Sequence, residues 1–197
     1  MKRFLPILLT TLWLSLSLNA QEHSRRPTAT PTPAPAPATR PAPAPNAADD
    51  GGWVRFNSVA GRFTVLMPET PEDKAETVQS DHGPYTTHLF IVRDTKNVYL
   101  IGWVDYDPSF NFNRAAELEA NRDNFVKGIS ATLTNTRTLT IDTYSAIEFT
   151  ADTADRTFQS RVYMVGRRPY QIVIGYPKDD PDAVATNRFF NSFKVRP

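Results

Sequence analysis

A hydrolase of the serine type needs a histidine to take the proton of its hydroxyl nucleophile, and this 197-residue chain has three histidines. His23 falls in a proline-rich stretch, which leaves two for a folded part. His82 stands in the turn signal Ser80-Asp81-His82-Gly83-Pro84, and His88 in a strand pattern with Phe90 and Val92 on its face. A strand histidine is ordinarily a half-buried packing residue, so His88 reads first as structure. The chain has no cysteine, which excludes thiolate nucleophiles, thiolate metal sites and disulfides. It has no G-x-S-x-G elbow, no H-E-x-x-H helix and no glycine loop of either nucleotide-binding type. These absences favour a non-enzymatic protein. The alternative, a hydrolase of envelope material using His88 or His82, requires a cleft in which one of the two rings meets a carboxylate within hydrogen-bond reach.

Hard cations want six to eight oxygens. The run Asp105-Tyr106-Asp107-Pro108-Ser109-Phe110-Asn111-Phe112-Asn113 offers an oxygen-bearing side chain at every second position. A calcium loop fails on Phe110, where glycine is needed, and on Ala116, where a bidentate Glu is needed. The run reads as a strand end, a turn and a helix cap, and Asp179-Asp180-Asp182 as capping with favourable charge at a helix N-terminus. No metal or cofactor is expected. Thr132, Thr134, Thr136, Thr138 and Thr140 alternate, so all five are expected on one face, as a solvent-facing strand of good strand formers. For contact with a partner, the expected patch combines the exposed turn Arg167-Arg168 with Tyr163 and Tyr170, since tyrosine and arginine are enriched at interfaces.

Short strands must carry these residues. Trp53–Asn57 and Arg62–Met67 read as a first pair, with Phe63, Val65 and Met67 on one face; Lys74–Gln79 is a weaker strand. Tyr85–Arg93 and Asn97–Tyr106 form a hairpin around Asp94-Thr95-Lys96. The second of these is apolar on both sides from Val98 to Val104 and belongs in the middle of a sheet. A helix begins at an Asn113 cap and ends near Gly128, with Ala115, Leu118, Phe125 and Ile129 on its apolar side and an Asp123–Lys127 pair on the other. Strands follow at Thr132–Ile141, Ser145–Thr150, Phe158–Val165 and Tyr170–Tyr176. A terminal helix with Asp180 as cap and Pro181 at its first position has Val184, Phe189, Phe190 and Phe193 on its greasy side, and Lys194-Val195 closes as a short strand. Strands and then a helix, twice, without βαβ alternation, predict an α+β domain: a central antiparallel sheet flanked by helices.

The segment ahead of this domain has a different composition. Residues 1–20 start with Lys2 and Arg3, continue as a greasy stretch and end Leu18-Asn19-Ala20, the pattern of a secretory signal peptide cleaved after Ala20. With Pro6, Thr10, Thr11, Ser15 and Ser17 in it, the stretch is a poor membrane span, so no stable span is expected after cleavage. If it were kept, the domain would be a membrane-tethered sensor. Residues 21–50 form a disordered linker dominated by alternating proline and alanine, with no large side chain from Ser24 to Ala48 except three arginines. Fully extended, that stretch spans about 75 Å. The folded domain is then 51–197. The formal charge of +1 divides into +2 in the signal, 0 in the linker (three Arg against Glu22, Asp49 and Asp50) and −1 in the domain (17 basic against 18 acidic). A nearly neutral domain gives no basis for nucleic-acid binding.

The opening Trp53-Val54-Arg55-Phe56 with Gly61-Arg62-Phe63-Thr64-Val65-Leu66-Met67-Pro68 resembles the first hairpin of PsbP-like domains. Arg188-Phe189-Phe190-Asn191-Ser192-Phe193-Lys194-Val195 is similar to their terminal helix running into a last strand. The superfamily includes the extrinsic PsbP protein of photosystem II, Ran-binding eukaryotic relatives and many secreted bacterial proteins. The resemblance runs from Trp53 to Val195 and consists of core patterns. It implies an α/β/α sandwich and an accessory protein that binds or stabilises partners without catalysis. Nothing here matches motifs that would assign a photosystem or GTPase partner. The partner is therefore left as a protein or small ligand of the periplasm or cell envelope.

Overall fold

The computed structural model describes residues 51–79, 83–110 and 113–196. The expected signal peptide and linker, with His82 and Asn111, lie outside the described residues. Alternation makes the strands, as in β2 (Phe63–Met67), where Phe63, Val65 and Met67 are fully buried and Thr64 is not. β2 lies between β1 (Val54–Ser58) and β10 (Lys194–Val195) in a small antiparallel sheet. The larger antiparallel sheet has seven strands in the order β3-β4-β5-β9-β8-β7-β6: β3 (Glu72–Val78), β4 (Tyr85–Arg93), β5 (Val98–Tyr106), β9 (Arg168–Pro177), β8 (Arg156–Val165), β7 (Tyr144–Asp152) and β6 (Thr132–Ile141).

β5 is buried along both faces, as its sequence predicts, and a different layer covers each one. On one face α1 (Arg114–Gly128) presses Leu118 and Phe125 onto Leu100, Phe149, Val162 and Val173. Asn113 caps α1 as expected, its Oδ1 accepting from the amides of Ala115 at 2.9 Å and Ala116 at 3.2 Å. Ala115 is exposed, and Asp123 pairs with its neighbour Arg122 at 2.7 Å. On the other face sit α2 (Ala183–Ser192) and the small sheet together, so this side is covered as much by strands as by a helix. The expected helices therefore do lie on both faces, but the second layer is richer in strand than expected. The reason is β10, two residues whose pairing with β2 turns the first hairpin into a lid over the central sheet. Phe63 is the hub of that layer, with edge-to-face contacts to Trp103 at 5.8 Å and Tyr170 at 6.3 Å and a tilted contact with Phe193 at 5.4 Å.

Two local expectations also change. Asp182, not Asp180, caps α2, accepting from the amide of Ala185 at 2.9 Å, while Asp180 pairs with Lys96 at 2.8 Å. With the helix starting two residues later, Val184 points to solvent at 80% exposure. The threonines of β6 do not share one face, because the register with β7 shifts between Leu133 and Asn135. Thr136, Thr138 and Thr140 stand opposite Phe149, Ile147 and Ser145 on the α1 side; Thr132, opposite Asp152, lies before the bulge and faces the other way.

Candidate functional site

β4, β5 and β9 bring His88, Trp103, Asp105, Arg168 and Tyr170 together at one end of the sheet. The His88 ring lies flat on Trp103, 4.2 Å between centroids and 4° between planes. Its Nε2 is 3.4 Å from Asp105 Oδ2, which also accepts from Trp103 Nε1 at 3.2 Å. Asp105 Oδ1 accepts from Arg168 Nε at 2.6 Å. Arg168 further donates to the Ala60 carbonyl at 3.0 Å and to the Tyr170 hydroxyl at 3.3 Å. Tyr170 in turn donates to the Gly61 carbonyl at 2.8 Å. Burial, foremost, pushes the Tyr170 hydroxyl above its ordinary range, so it stays a neutral donor.

His88 therefore does meet a carboxylate, the first condition for the hydrolase alternative. A general base also needs a nitrogen facing the substrate. Here Nε2 faces Asp105, and Nδ1 is buried with no hydrogen-bond partner among the described residues. The arrangement fastens the turn between β1 and β2 to the large sheet. Gly61 in that turn has no room for a side chain, since a Cβ would stand 2.5 Å from the Phe63 ring.

The expected partner patch is divided by the fold. Tyr163 and Tyr170 oppose each other across the β8–β9 hairpin but are 4% and 2% exposed, both in contact with Phe193, so they chiefly pack the core and form no shared patch with the turn. Arg167 is exposed at the turn and donates to the carbonyls of Asp107, at 3.1 Å, and Phe110, tying the turn to the loop before α1. Arg168 is half-buried and held by Asp105. In the oxygen-rich run, Asp105 is ion-paired, Asp107 accepts from the Ser109 amide at 2.9 Å and Asn113 caps α1.

Beside Tyr163 a groove of about 160 Å³ opens between the β6–β7 turn, β8, the end of α2 and β10. Ile141, Tyr144, Tyr163, Phe190 and Phe193 make its walls apolar and aromatic; Arg161 and Lys194 supply positive charge, Asp142 negative. Arg161 lies 4.6 Å over the Phe190 ring and donates to Glu148 at 2.6 Å, which Arg137 grips from the other side at 2.9 Å. Burial opposes ionisation of Glu148, but the bonds and charges of the two arginines outweigh it and hold its carboxyl below the ordinary range. Lys194 is exposed on its two-residue strand. Full-sized ligand pockets run to about 300 Å³ and more, so the groove has room for a single side chain or a small group. Sequence reasoning found Tyr163 here and missed the rest, whose members come from three separate segments. It also missed Glu117, a carboxyl buried on the α1 side that accepts from Tyr106 and from Asn121 Nδ2 at 3.1 Å; burial raises its pKa.

A seven-stranded antiparallel sheet with one helix on one face and a small sheet plus a helix on the other is a PsbP-like architecture. Among solved structures, the chain is similar to the solution structure of cyanobacterial PsbP (CyanoP) from Synechocystis sp. PCC 6803. The alignment has a TM-score of 0.50 at 14% identity and covers 78% of this chain and 99% of that one. At that identity the likeness shows the fold. A crystal structure from Bacteroides thetaiotaomicron VPI-5482 aligns over 73% of this chain and 48% of its own at 12% identity, with a TM-score of 0.36. No protein-family model and no curated protein matches the sequence.

Proposed function

We propose that this is a non-enzymatic binding or accessory protein of the periplasm or cell envelope, exported by a signal peptide cleaved after Ala20 and carried on the 21–50 linker. The observation that carries the reading is the groove: aromatic walls, an exposed Lys194 at its rim, and a volume that fits one inserted group. The occupant is a protein segment or small ligand with an apolar body and an anionic group, which desolvates against Tyr144 and Phe190 while Lys194 meets its charge. The PsbP-like fold and the absence, among the described residues, of a helix long and apolar enough to cross a membrane are compatible with it. The test is crosslinking in the native envelope and identification of what is attached, with wild type beside a Tyr144→Ala, Lys194→Glu double variant. Capture of one species by wild type and its loss from a variant of unchanged circular dichroism is the expected result. Equal capture by both refutes the groove.

A further inference from the structure

The two edges of the large sheet differ in chemistry. β3 carries Glu72, Asp73, Lys74 and Glu76 among its seven residues, the charged kind of edge that discourages pairing with another chain. β6, at the opposite edge, has ten residues with neither proline nor glycine. Its one charge, Arg137, is taken up by Glu148 of the neighbouring strand at 2.9 Å. Among the described residues β7 is its only strand partner, so half of its backbone N–H and C=O groups point away from the sheet. Long, uncharged, β-branched edges are the template for strand addition.

Its residue pattern selects the occupant. Because threonine recurs at every second place, β6 matches itself when a second strand runs antiparallel to it. Past the bulge the regular stretch is 135–141, and its midpoint is Thr138. An axis there sets Thr138 against Thr138, Thr136 against Thr140, Arg137 against Leu139 and Asn135 against Ile141. An axis at Arg137 would oppose two like charges, and one at Thr136 would run the pairing into the bulge. We propose that the outer edge of β6 is a self-association surface, on which a second copy of this chain pairs antiparallel about a twofold axis at Thr138.

Sedimentation of the full chain over a concentration series tests it: the mass rises toward twice the monomer's. Thr138→Lys places two like charges on the axis at an exposed position and weakens the dimer association constant by up to about fivefold, lowering the dimer fraction at equal concentration. Since the chain has no cysteine of its own, Thr138→Cys gives a second readout. Mild oxidation links two copies through directly opposed residues, whereas Thr77→Cys on β3 gives no such product. A chain that stays monomeric throughout, a Thr138→Lys variant that dimerises as strongly as wild type, or equal crosslinking from both cysteines overturns the proposal. If Thr138→Lys does not fold, the cysteine pair decides alone.

Discussion

Tyr170→Phe separates an anchoring tyrosine from a partner-binding one. The ring stays in contact with Phe63 and Phe193, and what goes is a hydroxyl that donates to the Gly61 carbonyl at 2.8 Å and accepts from Arg168 at 3.3 Å. Gly61 is buried, so its carbonyl loses a partner that water does not replace. An unsatisfied buried group costs about 1–3 kcal/mol, and the variant is spared the desolvation of its own hydroxyl, which leaves a net loss of about 1–2 kcal/mol. In a domain of this size that lowers Tm by roughly 2–8 °C. Urea unfolding of wild type and variant should show a lower midpoint at unchanged slope, since the surface exposed on unfolding is the same. Capture of an envelope partner should be unaffected. A loss below about 0.5 kcal/mol, within the range of ordinary surface substitutions, refutes the anchoring role. Unchanged stability with lost capture restores Tyr170 to a binding surface.

Glu117→Gln should change the pH dependence of stability. Burial raises the folded-state pKa of this carboxyl, so its contribution is complete below the unfolded pKa and is lost as pH rises through the folded one; the stability of the variant relative to wild type, measured by denaturant melts, should therefore climb from acid to neutral pH, and a constant difference refutes the reasoning. Asp182→Ala removes the α2 cap and the acceptor of Asn97 Nδ2 at 3.0 Å; thermal melts should show a loss of about 1 kcal/mol or somewhat more, and no loss would show the cap idle. Gly175→Ala drives a Cβ to 2.5 Å from the Phe158 ring and 2.8 Å from Val98; overpacking should cost about 1–3 kcal/mol in urea unfolding, and a neutral result would mean that β9 yields freely.

The parts of this fold that the sequence predicts are those decided within a few residues. The alternation of Phe63, Val65 and Met67, the double-faced burial of β5 and the Asn113 cap each follow from neighbours along the chain. The cap of α2 is also local, but three aspartates compete for it, and Lys96, distant in sequence, occupies Asp180. Pairings between distant residues were not legible. Arg168 and Asp105, 63 positions apart in sequence, look like separate surface charges until β5 and β9 are neighbours. The groove is harder still, because no wall residue is unusual in its own segment. The threonine row shows a third limit, since one bulged position reverses the face of everything before it and leaves no mark on composition.

The face on which the groove opens gives the proposed pairing of β6 a consequence. A twofold axis perpendicular to the sheet keeps each face on its own side. Joined at Thr138, two copies would therefore present both α2 faces, and both grooves, in one direction. Ile141, the last residue of β6, is a wall of the groove and lies three residues from the axis, so the two grooves would flank the junction. Two weak sites held at a fixed short separation bind a two-pronged or repetitive partner far more tightly than either alone, because the second contact forms at the effective concentration set by the first. A groove that fits one side chain is then no obstacle to stable attachment: a self-pairing edge beside a small site supplies by repetition the grip that the volume of the site does not.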